Sequence, residues 1–317
     1  MASTTTRSVP LVAAGHTRPV VHLSFSPMQP DNTYLVASSC KDGTPMLREW
    51  TGDWLGSFIG HKGAVWCTKL SSDTSLAATG SADFTAKVWD TFSGSFLHSF
   101  PHNHIVRTVA LTPNPTRLVT GGHEKKVRIF DLGKPDADPL VLSDGAGKDA
   151  HEGVIKSVVA ITDTLVATAA EDGFVKWWDI RAPGPAWAIN LAAPVTSMEL
   201  TLGRPVLVIT AGNSVSFQQA INHTGPSVTV NLPHQPSSAA MHPILGDRFV
   251  AGSTADPWVH VYDPDGKELD VLKGHHGPVH CVAYSPDGEM YASGSEDGTI
   301  RLWQNTPGKA YGLWQGA

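Results

Sequence analysis

Tyr291-Ala-Ser-Gly-Ser-Glu-Asp-Gly-Thr-Ile-Arg-Leu-Trp303 has a counterpart far upstream, in Ala78-Thr-Gly-Ser-Ala-Asp-Phe-Thr-Ala-Lys-Val-Trp-Asp90. In both, an Asp (Asp297, Asp83) precedes a Trp (Trp303, Trp89) by six residues. The same ruler sets Asp172 before Trp178-Asp179, Asp256 before Tyr262-Asp263, Glu124 before Phe130-Asp131 and Asp42 before Arg48-Glu49. A seventh, degraded copy ends at Ser214-Val-Ser-Phe217, with Ala211 in place of the acid. The end positions 48, 89, 130, 178, 217, 262 and 303 are therefore 41, 41, 48, 39, 45 and 41 residues apart. Upstream of most copies stands a second mark: Gly15-His16, Gly60-His61, Pro101-His102, Ala150-His151 and Gly274-His275.

This combination resembles the WD repeat, whose period is about 40–45 residues with Gly-His and Trp-Asp signatures. Between the marks the chain alternates with the period of strands. In Val279–Tyr284, the residues Val279, Cys281 and Ala283 share one face, and His280, Val282 and Tyr284 the other. Ser285-Pro-Asp-Gly288 supplies a turn and Asp297-Gly298 a tight hairpin. A fourth strand precedes each His mark, as in Trp54-Leu-Gly-Ser-Phe58 and Phe96-Leu-His-Ser-Phe100.

Four-stranded sheets arranged radially remove exposed edges by circular closure. The repeats thus predict an all-β, seven-bladed propeller of WD repeats over residues 1–317, closed by an N-terminal strand within 1–14. Residues 133–150 read as a longer, flexible inter-blade insertion and 304–317 as a C-terminal tail.

The resemblance also implies a hydrogen-bonded tetrad of His, Ser/Thr, Asp and Trp in each complete blade. The sets are His61, Thr79, Asp83 and Trp89; His151, Thr168, Asp172 and Trp178; and His275, Ser293, Asp297 and Trp303. Repetition makes these structural residues and not catalytic dyads. The first copy departs with Arg48 at the Trp place, and the third has Thr120, Glu124 and Phe130. The fifth and sixth lack the Gly-His pair, and the sixth has Gly252 in place of Ser/Thr. The degenerate blades are expected to open more easily.

Composition narrows the function. Glycine (30) and proline (23) are turn punctuation, and charged residues make up only 16 %. The formal charge of −6 and the absence of a basic stripe argue against direct nucleic-acid binding. The densest basic group is Lys125, Lys126 and Arg128. No apolar run approaches the roughly 20 residues of a membrane helix, and residues 1–10 lack the apolar stretch of a signal peptide. A cytoplasmic and nuclear location is expected. Cys40, Cys67 and Cys281 form no C-x-x-C pair and read as small buried hydrophobes. No phosphate loop, metal-binding His/Cys cluster or nucleophile elbow is present, so no catalytic residue, cofactor, metal or small-molecule substrate is expected.

In a propeller, loops of one face ring the central opening and carry recognition. Alignment of the copies places Val21, Trp66, Arg107, Lys156, Thr196, Ser237 and His280 at equivalent first-strand positions. Residues before the tetrad acid add Lys41, Ala82, His123, Glu171, Ala255 and Glu296. The candidate partner-binding residues are Trp66, Arg107, Lys156, His280, Lys41 and His123, since aromatics and Arg are enriched at binding hot spots.

More specific segments are Gly15-His-Thr-Arg-Pro-Val-Val21, Cys40-Lys-Asp-Gly-Thr-Pro-Met-Leu-Arg48, Thr51-Gly-Asp-Trp-Leu-Gly56, Gly60-His-Lys-Gly-Ala-Val-Trp66, Ala82–Asp90 and Tyr311-Gly-Leu-Trp314. Together they resemble the serine/threonine kinase receptor-associated (unr-interacting) protein family. That resemblance implies a non-enzymatic adaptor of the survival-of-motor-neuron (SMN) complex. Its partners would be SMN and gemin-type assembly proteins, with RNA contacted only indirectly, in spliceosomal particle assembly. Family members are also linked to the cold-shock-domain protein unr and to transforming-growth-factor receptor signalling. The alternative is the related propeller subunit of translation initiation factor three.

Overall fold

Short stretches rich in Val, Ala, Ser and Thr recur at the start of every repeat, and such side chains suit a pleated surface buried on both faces. The computed structural model describes residues 9–144, 147–222, 225 and 227–306. Among them are 28 strands, and no helix is long and apolar enough to cross a membrane. The strands pair antiparallel into seven four-stranded sheets. Six are built from consecutive strands: blade 1 spans residues 20–57, blade 2 65–101, blade 3 106–142, blade 4 155–190, blade 5 195–231 and blade 6 236–273. Blade 7 takes three strands from residues 279–304 and its outermost, Leu11–Ala13, from the N-terminal region. Leu11 pairs with Leu302, Val12 with Arg301 and Ala13 with Ile300. The fold is the seven-bladed propeller that the repeats predict, closed by the N-terminal strand. Residues 1–8 of the expected closing segment and 307–317 of the expected tail lie outside the described residues, and with them Tyr311–Trp314.

Cohesion comes from apolar clusters that straddle neighbouring blades. One joins Ala13, Val20, Leu23 and Phe25 to Cys281, Met290, Ala292 and Leu302, locking blade 1 onto blade 7. Hydroxyls of the innermost strands add hydrogen bonds between blades. The Val158 amide donates to Thr108 Oγ1 (3.0 Å), the Met198 amide to Ser157 Oγ (3.0 Å) and the Val282 amide to Ser238 Oγ (2.9 Å). All three cysteines are free and buried.

Two details differ from the sequence reading. The alternation expected in Val279–Tyr284 is interrupted, because the pairing register shifts between Val279 and Cys281. Every innermost strand carries the same β-bulge, at Val20/His22, Val65/Cys67, Val106/Thr108, Ile155/Ser157, Val195/Ser197 and Pro236/Ser238. An extra residue bends the strand and re-aims its side chain. The segment 133–150 is also more than an insertion: Leu140–Leu142 pairs with Val127–Ile129 as the outer strand of blade 3. The apolar Leu-Val-Leu run suits that place, and a bridge between Ser143 and Asp149 closes the chain beyond it.

Candidate functional site: the channel mouth

The His–Asp pairs were the residues most open to a chemical reading, and their geometry is that of packed hydrogen-bond chains. In blade 2, Trp89 Nε1–H donates to Thr79 Oγ1 (2.9 Å), the Thr79 hydroxyl to His61 Nε2 (2.7 Å), and His61 Nδ1–H to Asp83 (2.8 Å). Blade 4 repeats this through Trp178, Thr168, His151 and Asp172, with bonds of 2.8, 2.7 and 2.9 Å. Blade 7 does so through Trp303, Ser293, His275 and Asp297, at 2.8, 2.7 and 3.1 Å. The partners assign a neutral imidazole with its proton on Nδ1.

The variant blades solve the same problem differently. In blade 1, His16 still bonds Ser38 (2.8 Å) and Asp42 (3.1 Å). Arg48 replaces Trp and donates to the carbonyls of Gly52 (3.0 Å) and Ala14, tying the blade to the chain beside the closing strand. In blade 3, the longer Glu124 bypasses His102 to accept from Arg128 (2.5 Å) and the Asn103 amide, and His102 Nδ1–H turns to the Phe100 carbonyl (3.0 Å). In blade 6, His260 is held by Glu268 (2.7 Å) and Asp256 (3.3 Å). His16, Cys40 and Asp42 lie close enough together to hold a metal ion. Both His16 nitrogens are already bonded within the blade, Cys40 Sγ donates to the Arg18 carbonyl, and burial lowers the basicity of His16 despite the opposing Asp42 carboxylate, with the Arg48 charge adding to the fall. That chemistry fits a structural cluster better than a cation site.

The seven bulge residues Val21, Trp66, Arg107, Lys156, Thr196, Ser237 and His280 all line one cavity of about 390 Å³ at the channel mouth, together with Lys41 and Glu171. Arg107 lies over the Trp66 ring, its guanidinium carbon 3.8 Å from the centroid, and Lys41 Nζ is 5.9 Å from the same ring. Lys156 binds Glu171 (2.6 Å), His280 binds Glu296 (2.5 Å), and Lys41 reaches Glu296 at 3.9 Å. Burial lowers the Arg107 pKa to about 10. His123 is exposed outside the cavity lining, stacked on His104 with ring centroids 5.0 Å apart. Five of the six candidate residues therefore line one cavity, and His123 does not.

Deeper in the channel lies a group that repeat reading does not single out. Glu199 of blade 5 crosses to the two opposite blades, accepting from His22 Nε2 (3.1 Å) of blade 1 and from Lys69 of blade 2. Burial pushes the Glu199 carboxyl up, but Lys69 and His22 outweigh it and bring it down to about 2. Cys67 Sγ stands 3.8 Å from His22 Nε2. Cys, His and Glu together suggest a nucleophile relay, yet that relay uses the two ring nitrogens separately. Here thiol and carboxylate address the same nitrogen, and Nδ1 is buried without a partner. The group is a bridge. It separates the mouth from a second, apolar chamber of about 250 Å³ walled by Leu23, Phe25, Leu111, Val159 and Leu200. One signal could have revealed it: Lys69 and Glu199 occupy the same repeat position, where the other blades carry Ser24, Ala110, Val159, Ala240 and Ala283.

Comparison with known proteins agrees with this architecture. The WD domain, G-beta repeat, matches residues 52–90, 94–131 and 266–304. A serine-threonine kinase receptor-associated protein from Bos taurus is 46% identical over 311 residues, covering 98% of this chain and 86% of the relative. One from Dictyostelium discoideum is 46% identical over 299 residues, covering 93% of this chain and 98% of the relative. Eukaryotic translation initiation factor 3 subunit I of Culex quinquefasciatus is 26% identical over 319 residues, covering 92% of this chain and 95% of its own. Identity of 46% over 98% of the chain, with the repeat marks and the seven blades, places the chain in the serine-threonine kinase receptor-associated protein family of WD-repeat propellers.

Proposed function

We propose that this protein is a non-enzymatic adaptor that works in the SMN complex, holding assembly proteins together while Sm proteins are loaded onto spliceosomal RNA. Propeller and family together support a protein-interaction scaffold, with recognition on the side chains that ring the channel mouth. The observation that carries the choice is the gap between 46% identity to the receptor-associated proteins and 26% to the initiation-factor subunit, at similar coverage. RNA is met through partners, in keeping with a net charge of −6. A cytoplasmic and nuclear distribution follows from that role.

The test is affinity purification of the tagged full-length chain from its own cells, followed by mass spectrometry. SMN, gemin-type and Sm proteins are expected. Recovery of initiation-factor subunits with ribosomal subunits, and none of these, overturns the reading in favour of the translation alternative.

A further inference from the structure

Arg107 is the cation of the mouth that has nothing to pair with. Its backbone is fixed by the bulge in the innermost strand of blade 3, where Gly122 packs against it so closely that a Cβ there would lie 2.8 Å from the Arg107 amide nitrogen. Its guanidinium rests on Trp66, 3.8 Å from the ring centre. Among the described residues it makes no hydrogen bond or ion pair, whereas Lys156 is bound to Glu171 and both Lys41 and His280 face Glu296. Nor do the neighbouring hydroxyls have protons to spare: Thr196 is bonded to Thr210 (2.6 Å) and Ser237 donates to the Val279 carbonyl (2.6 Å). A guanidinium offers five N–H donors in a fork matched to two oxygens, and at half-buried Arg107 that fork is free to take a carboxylate from outside the chain. Burial already depresses the basicity of Arg107, which an arriving anion would reverse.

We propose that the channel mouth is a carboxylate receptor, in which a Glu or Asp side chain of an acidic segment of a protein partner enters the cavity and accepts paired hydrogen bonds from Arg107 while lying beside Trp66. The inference rests on the scaffold reading and names the chemistry its partner must bring. A single unpaired cation suits a monovalent carboxylate. A polyanion such as an RNA backbone would meet Glu171 and Glu296 on the rim and Glu199 on the floor, with Arg107 the one unpaired cation among the described residues of the mouth to offset its charge. The cavity, at about 390 Å³, admits side chains and not a folded element.

Full-length protein labelled with ¹⁵N-arginine gives a side-chain Nε–Hε spectrum in which the Arg107 peak is identified by its loss in Arg107→Lys. Three probes are titrated to millimolar concentration: the peptide acetyl-Gly-Gly-Glu-Gly-Gly-amide, its Gln counterpart, and inorganic phosphate. The Arg107 peak is expected to move saturably with the Glu peptide, with affinity for the Gln peptide weaker by about tenfold or more. Arg107→Gln, read by peptide fluorescence anisotropy with an unchanged melting temperature, should lose the Glu preference. Equal response to Glu and Gln peptides, no response to either, or a response to phosphate alone overturns the receptor. If it is overturned while Sm-assembly proteins are still recovered with the chain, the scaffold reading stands without it.

Discussion

Asp83 shows how a single residue sets the terms of a blade. Its carboxylate accepts from His61 (2.8 Å), the Lys62 amide (2.9 Å), and the Thr85 amide (3.0 Å) and hydroxyl (2.6 Å). Burial opposes the charge, but these donors outweigh it and hold Asp83 well below the usual carboxylate range, as they do for Asp172 and Asp297. His16, His102 and His275 are also lowered, chiefly by burial. Both kinds of group bind more protons in the unfolded chain than in the folded one. Their stabilisation is fully present above the unfolded pKa and is lost as pH falls. Stability is therefore expected to decline in two stages, the first below the ordinary histidine value of 6.5 and the second below the carboxylate value of 3.8. Asp83→Asn should cost roughly 1.5–3 kcal/mol at neutral pH and flatten the second stage, as read by denaturant unfolding across pH. An unaltered acid limb would contradict the assignment. The tetrads were legible in the sequence because the repeats supply their own alignment and the resemblance to the WD repeat names the four positions. The substitutes were not, since the reach of Glu124 past His102 depends on one methylene and on Arg128 being close.

At the scale of the element, the bulge decides what the inner strands present. The seven residues at first-strand positions could be aligned from the repeat and expected around the central opening, but the bulge that aims them there could not be read. A bulge present in every copy leaves the repeat length unchanged, so spacing carries no trace of it. Its geometry needs small partners across the pair: Val106 faces Gly122 and Thr108 faces Gly121. A Cβ on Gly122 would lie 2.2 Å from the Ile105 carbonyl oxygen, which a flexible side chain could not relieve because the neighbour is backbone. Gly122→Ala is expected to destabilise by roughly 1–3 kcal/mol and to shift Arg107 off Trp66. Denaturant unfolding checks the first effect and the Arg107 side-chain resonance the second. Full stability with an unmoved resonance would mean that the bulge tolerates a methyl group. The same scale explains the segment 133–150, whose length suggested an insertion although Leu140–Leu142 completes blade 3.

Across the whole molecule, the Glu199 bridge joins blades that are distant in sequence and opposite in space. His22 and Glu199 are separated by 177 residues, and Lys69 and Glu199 by 130. Side-chain exposures of 15%, 21% and 27% for His22, Lys69 and Glu199 show that channel water still reaches them. Glu199→Ala leaves Lys69 and His22 without their shared acceptor. The expected cost is roughly 1–3 kcal/mol, below the roughly 3–5 kcal/mol of a fully buried pair because of that water. Lys69→Met in the same chain should recover part of it. A Glu199→Ala protein as stable as the parent, by denaturant unfolding, would remove the bridge as a structural element.

The sequence by itself determined the number of blades and their strand content, because each is written in short-range spacing and then repeated, and its resemblances pointed to the tetrads and the family. It also placed Trp66, Arg107, Lys156 and His280 at matching positions. Only the tertiary structure decided that these side chains meet in one cavity, that Arg107 alone among its described cations is left without an acid, and that Glu199 closes the channel beneath it. Circular closure brings the first, second and fifth repeats across a common axis. That distance is set by the radius of the ring, and no local pattern of residues encodes it.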